Sequence, residues 1–177
     1  VLDIPVVVDG AAAFDALKAA PVPVTVSLHA TKTGAAGEGG YVASADPDFI
    51  ERIRALSAFG FAGSRTARHA ACNAKISEYA AAVALASLDG WPADRLRFSI
   101  AAQHLKVAMA IHPDIAFQPG WGFDWISSVC VVRTADSAGP TLIERLGRSG
   151  VQARSWWNAG CHREPAHRGD ADHARTQ

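Results

Sequence analysis

Ser27-Leu28-His29-Ala30-Thr31-Lys32, continued by Gly34 and by Gly37-Glu38-Gly39-Gly40, is the stretch whose reading decides the fold. A β-like run, Pro23 to Leu28, leads into it. A second, Tyr41 to Ser44, leaves it. One lysine thus sits in a glycine-rich turn between two predicted strands. A lysine so placed is either a solvated loop charge or an amine held for chemistry, and its surroundings have to decide.

Upstream, Ile4-Pro5-Val6-Val7-Val8 is apolar at successive positions, which predicts a strand buried on both faces and paired in parallel. Asp9 then falls at the strand's carboxyl end, where open α/β sheets place their ligands. Ala11 to Ala20 predicts a short helix with Phe14 and Leu17 on one face, stopped by Pro21 and Pro23. Val22 to Leu28 is the next strand and Tyr41 to Ser44 the third.

Downstream, Asp46-Pro47-Asp48 combines an N-cap acid, a first-turn proline and a second acid near the positive end of the helix dipole. It predicts a helix to about Ala58, with Phe49, Ile50, Ile53 and Leu56 as its apolar stripe and Gly60 as its stop. Phe61 to Ala71 reads as a loop carrying Gly63, Ser64, Arg65, Arg68 and His69. Ser77 caps a helix that ends at Gly90, and Pro92 opens another that ends at His112-Pro113. Ile126 to Thr134 is a predicted strand, Pro140 to Ser149 a helix closed by Gly150, and Val151 to Trp157 an extended run.

The 177 residues suffice for one ordinary domain with a core. Seventeen basic and 17 acidic residues balance, so there is no electrostatic footprint for nucleic acid or an anionic membrane. Cys72, Cys130 and Cys161 are odd in number and widely spaced, which fits neither a disulfide framework nor a thiolate zinc site and suits a reducing, cytoplasmic compartment. His162, His167 and His173 lack a metal-ligand spacing, so no metal is expected. No apolar run approaches the roughly 20 residues of a membrane span. The chain opens without Met one step before an apolar run, and its tail has no apolar periodicity. It therefore reads as a fragment with a disordered tail over 166–177.

Taken together, Val6-Val7-Val8-Asp9, the Ser-x-His-x-x-Lys and Gly-Glu-Gly-Gly elements around Lys32, and Cys72-Asn73-Ala74-Lys75-Ile76-Ser77-Glu78 before an alanine-rich run resemble the DegT/StrS-type sugar aminotransferases. Gly150-Val151-Gln152-Ala153-Arg154, Trp156-Trp157 and Gly160-Cys161-His162 also resemble the later part of that family. The resemblance covers about residues 4 to 165. It implies an α/β, fold type I pyridoxal-phosphate (PLP) enzyme, with a partial large domain built on a mainly parallel sheet and a partial α+β small domain. The implied domains are the later part of the PLP-binding large domain (1–90), a linking helix (91–112) and part of the small domain (113–165).

By that resemblance, Lys32 forms the Schiff base with PLP, Asp9 pairs with the pyridine nitrogen and Ser27 bonds the phosphate. Asn73 reaches the phosphate of a neighbouring subunit's cofactor in a homodimer with shared sites. Arg154 and His162 are candidates for the substrate pocket. The implied reaction moves an amino group from an amino acid, L-glutamate, to a nucleotide-linked keto-sugar. The residue types suit the chemistry. A lysine of lowered pKa serves as leaving group and proton shuttle, and a carboxylate beside the ring nitrogen keeps the cofactor an electron sink.

Plainer readings stand beside these. Asp9 also suits a helix N-cap, Ser27 a buried strand hydroxyl, Asn73 a turn residue, and Trp156-Trp157 core or interface packing. The sequence departs from the family in carrying Ala12 where relatives have Gln or His, and in a short spacing from Asp9 to Lys32. An upstream phosphate-binding loop and ring-stacking aromatic are missing. An inert remnant, a binding module reusing the fold, and a PLP-dependent sugar dehydratase are the rival readings.

Overall fold

A computed structural model describes residues 4–16, 22–135 and 138–156. The chain divides into two compact units, Val1–His112 with Phe117–Val132, and Pro113–Ala116 with Arg133–Gln177.

The first unit is built around a three-stranded sheet in the order β1 (Val8–Asp9), β2 (Val24–Ser27), β3 (Gly40–Ala43). β2 is the central strand. Val24, Val26 and Leu28 are buried while Thr25 and Ser27 are only half so, the alternation of a strand with one face on a core. β1 pairs with β2 in parallel, as expected, with Val8 opposite Val24 and Asp9 opposite Thr25. β3 runs antiparallel, with Ser27 opposite Gly40.

Two expectations upstream of β2 are corrected. The Ile4–Val8 run is strand only at Val8, and Ile4, Val6 and Val7 are 63%, 53% and 59% exposed. An apolar run is buried only where something covers it, and here β1 has a partner strand on one side alone. The helix expected at Ala11–Ala20 is a series of turns over 11–16, with Ala13 donating to Gly10 O and Ala16 to Ala13 O. Leu17 lies outside the described residues.

α1 (Pro47–Ser57) begins as expected: Asp46 Oδ1 accepts from the N–H groups of Asp48 and Phe49 at 3.0 and 3.1 Å. Phe59, in the left-handed region at φ 59°, and Gly60 turn the chain out of it. α2 (Glu78–Met109) differs from expectation, because one 32-residue helix runs through Gly90 and Pro92 where two helices were predicted. Pro92 removes one ladder N–H. The contacts flanking it hold the helix together: Trp91 meets Phe14 edge-on at 5.1 Å and Phe98 at 6.3 Å, and Arg95 binds Asp15. Local breaker chemistry yields here to tertiary packing. Much of the helix surface is apolar and exposed, including Tyr79, Leu85, Leu88, Leu96 and Val107.

β4 (Ala116–Phe117) and β5 (Val132–Arg133) form a separate two-stranded sheet. The long strand expected over Ile126–Thr134 is therefore reduced to its last part. Ser127 Oγ accepts from the N–H of Val129 at 3.2 Å, a local turn that competes with a ladder. In the second unit α3 (Ala138–Arg148) matches the predicted helix, and Gly150 at φ 76° follows it. Residues 151–155 have no regular structure, and Trp157 and the 157–177 segment lie outside the described residues. Among the described residues no helix is long and apolar enough to cross a membrane.

Two glycines have opposite environments and make a test. A Cβ on Gly34 would lie 2.5 Å from the Phe14 ring, whereas one on Gly147 in α3 meets nothing within 4 Å. Gly34→Ala is expected to destabilise the protein by about 1–3 kcal/mol through overpacking. Gly147→Ala is expected to stabilise it by about 0.5–1 kcal/mol through helix propensity. Urea unfolding midpoints of the two variants should move in opposite directions.

Candidate active site

The carboxyl ends of β1 and β2 lie side by side because the strands are parallel and in register. Asp9 ends β1 and Ser27 ends β2, two residues beyond the position opposite Asp9. That offset is about 7 Å along the strand. Asp9 is exposed, and its Oδ1 accepts from the N–H of Ala11 at 3.0 Å. The N-cap reading of Asp9 is thus realised as a turn rather than a helix start, and it engages only one carboxylate oxygen. Ser27 Oγ likewise accepts from the N–H of His29 at 3.2 Å, which leaves its own hydrogen to donate.

Lys32 sits in a closed loop. Leu28 N–H donates to Gly39 O at 2.9 Å, Ala36 N–H to Leu28 O at 2.8 Å and Ala30 N–H to Gly37 O at 2.8 Å. The Lys32 N–H donates to His29 O at 2.9 Å. Ala36 and Gly34 are buried, and Gly34 lets the loop lie flat on the Phe14 ring. His29 braces the inside of the loop. Its Nδ1 accepts from the Thr31 N–H at 3.2 Å and lies 2.9 Å from Thr31 Oγ1. An accepting Nδ1 puts the ring proton on Nε2, which faces Glu38 Oε1 at 3.6 Å. The Lys32 ammonium has no ion pair among the described residues.

Asn73 lies elsewhere in the first unit. It bridges to Ala58 at the end of α1, and no hydrogen bond joins it to Asp9, Ser27 or Lys32. Its Oδ1 accepts from Lys75 Nζ at 2.7 Å, and that ammonium also lies 4.8 Å from the Phe59 ring centroid. An amide oxygen held this way turns the Asn73 NH2 group outward as a donor. Just beyond, Ala74 to Ser77 and Glu38 to Gly40 line an open groove of about 320 Å3. The glycine turn after Lys32 and the segment after Asn73 therefore share one surface. Arg154 is exposed in the second unit, and His162 lies outside the described residues.

Sequence reasoning missed a set of groups on α2. Arg95, Ser99, Gln103 and Lys106 recur at helical spacing and so share a face. Arg95 binds Asp15 at 2.9 Å and Phe123 O at 3.0 Å. Ser99 donates to Gly122 O at 2.7 Å, Gln103 to the same oxygen at 3.4 Å, and Lys106 to Trp121 O. Gly122, at φ 82°, permits this closeness, since a Cβ there would lie 2.5 Å from the Cβ of Ala102. The clamped segment continues into Ile126, which is 1% exposed, and into Ser128, whose Oγ donates to Thr31 O at 2.6 Å. The only sequence signal was the polar stripe on an otherwise apolar helix.

A profile of the DegT/DnrJ/EryC1/StrS aminotransferase family matches residues 3–177. The chain belongs to that family. Protein Rv3402c of Mycobacterium tuberculosis is 28% identical over 173 residues, which is 92% of this chain and 41% of that protein. The chain thus spans about two-fifths of the length of the curated relatives it matches. A solved Bacillus cereus protein assigned as a PLP-dependent aminotransferase is 25% identical with a TM-score of 0.78, covering 94% of this chain and 48% of its own. DesI, solved with its TDP-sugar product, is 33% identical with a TM-score of 0.67, covering 83% and 39%. The fold is accordingly that of the fold type I PLP aminotransferases, as the sequence led us to expect.

The Arg95–Asp15 pair ties α2 to the turn after β1, with the Asp15 side chain only 6% exposed and that of Arg95 37%. Breaking a buried pair costs about 3–5 kcal/mol. With Arg95 over a third exposed, roughly 2 kcal/mol is expected for Asp15→Ala. Thermal and urea unfolding should show the loss, and Arg97→Ala, on an exposed helical pair with Asp94, should barely move the midpoint.

Proposed function

We propose that this chain carries the PLP-anchoring part of an aminotransferase that transfers an amino group from an amino acid, L-glutamate, to a nucleotide-linked keto-sugar. The observation that carries the reading is the meeting of Asp9 and the Ser27–Lys32 loop at the carboxyl ends of two adjacent parallel strands. The residues present fit the cofactor's chemistry. Among the described residues they comprise a carboxylate with one oxygen uncommitted, a hydroxyl with its hydrogen free to donate, and a lysine without an ion pair in a loop closed by backbone hydrogen bonds.

PLP, when bound, supplies the electron sink that makes a substrate C–H acidic. The chain's own groups do the rest. Lys32 Nζ would be the covalent anchor for the cofactor, and its amine is the proposed proton carrier at the donor carbon. Asp9, with Oδ1 on the Ala11 N–H, would hold the ring nitrogen and keep it protonated through its carboxylate. Ser27 Oγ donates to a phosphate oxygen in a charge-assisted hydrogen bond. Asn73, its amide oriented by Lys75, would donate to the phosphate of a neighbouring subunit's cofactor in a homodimer with shared sites. The TDP-sugar product bound to DesI supports a nucleotide-sugar acceptor. Arg154 and His162 are proposed to face it.

The test is direct. PLP is added, a visible absorbance band is sought, the adduct is reduced with borohydride and the label is mapped. Label on Lys32 and glutamate-dependent bleaching are expected, and label elsewhere or none at all sinks the reading. Asp9→Asn keeps an acceptor for Ala11 N–H, so its unfolding midpoint should match the parent's. Its 2-oxoglutarate release should fall roughly 10²–10³-fold, the scale for losing a preorganised charge at a reacting centre.

A further inference from the structure

Thr31, the residue immediately before Lys32, has both of its backbone polar groups engaged by side chains. Its N–H donates to His29 Nδ1 at 3.2 Å, a partner within the loop. Its carbonyl accepts from Ser128 Oγ at 2.6 Å, a partner 97 residues away. Ser128 is itself fixed from behind. Ile126 and Ser127 are buried, Ser127 Oγ bonds the N–H of Val129, and the preceding 121–123 backbone is held by Arg95, Ser99, Gln103 and Lys106 of α2. The contact is thus the end of a braced arm. The Thr31 carbonyl belongs to the peptide whose nitrogen is that of Lys32, so fixing its direction fixes the plane from which the Lys32 side chain departs.

We propose that Ser128 is a positioning residue for Lys32. Through the Thr31–Lys32 peptide it sets the direction in which the amine leaves the loop. The role rests on the reading of Lys32 as the PLP anchor. Ser128 touches neither cofactor nor substrate in this account. It acts as the second anchor of a peptide whose N–H, that of Lys32, already donates to His29 O at 2.9 Å, in the way that supporting groups orient a functional side chain.

The test uses the complete protein as Ser128→Ala, Ser128→Thr and Ser128→Cys. Without cofactor, amide hydrogen exchange at Ala30, Thr31 and Lys32 is expected to be about three- to tenfold faster in Ser128→Ala, the scale of one net hydrogen bond. Ala36 and the β2 amides should be unchanged. With PLP added, the rate of borohydride-fixable capture at Lys32 should fall several-fold in Ser128→Ala and recover in Ser128→Thr, which retains the hydroxyl. Ser128→Cys keeps the volume with only a weak donor and should behave as Ser128→Ala. It decides the question if the alanine variant fails to fold. Parent-like exchange and capture in Ser128→Cys or Ser128→Ala would overturn the positioning role, as would failure of threonine to restore capture. Parent protein that takes no label at Lys32 overturns the PLP reading instead, whatever the exchange data give.

Discussion

Closure of the Leu28–Gly39 loop is the constraint on which the rest of the first unit depends. Leu28 both donates to Gly39 O and accepts from Ala36 N–H, so one residue at the end of the central strand shuts the loop from two sides. β3 can then run antiparallel beside β2, with Ser27 opposite Gly40. The loop cannot spread over the sheet edge, so the parallel β1–β2 edge stays open beside it. Asp9 is left exposed at that edge, and Lys32 is carried on a turn whose backbone is largely bonded to itself. Closing a short loop costs little conformational entropy, and each internal hydrogen bond offsets part of it.

The second constraint is long-range. α2, 32 residues and about 48 Å long, reaches from the segment after Asn73 to the segment before β4. Its polar stripe takes backbone carbonyls of the 121–123 turn as acceptors, which satisfies groups that a strand ladder would otherwise claim. A polar stripe on an apolar helix is usually its solvent face. Here it is a binding face for backbone, and the partly buried Arg95–Asp15 pair sets where it lies relative to the turn after β1.

What was legible in the sequence was local. The Asp46 and Ser77 caps, the strand leading to Leu28 and the parallel β1–β2 pairing follow from chemistry within a few residues or from a short apolar run. Gly90 and Pro92 misled because breaker residues report local preference, while Trp91 and Arg95 on either side supply tertiary contacts that outweigh it. The exposed Ile4–Val7 run misled in the opposite sense: periodicity tells which residues seek burial, and whether a cover is present is a separate matter. The adjacency of the strand ends that carry Asp9 and the Lys32 loop was legible because the motif spans only about 30 residues. Ser128 was not, because nothing in its neighbours marks a hydrogen bond across 97 positions.

A common physical device runs through the candidate site. Asp9 commits Oδ1 to Ala11 N–H, Ser27 commits one lone pair to His29 N–H, and Asn73 commits Oδ1 to Lys75. In each case one polar atom is spent on orientation and the opposite function is uncommitted among the described residues. The uncommitted set is a carboxylate oxygen, a hydroxyl hydrogen and an amide NH2, which under the proposed function would be an acceptor for a ring N–H and two donors for phosphate oxygens. Side chains held only by solvent would have to be ordered by the ligand at a cost of about 0.5–1.5 kcal/mol each. Here short-range hydrogen bonds have already met much of that cost at folding. The same logic extends to Lys32. Its long chain cannot spend an atom of its own without losing its amine, so the orientation has to come from the peptide before it. That is why the bonds to Thr31, rather than any bond to the ammonium, are where order at this lysine is found.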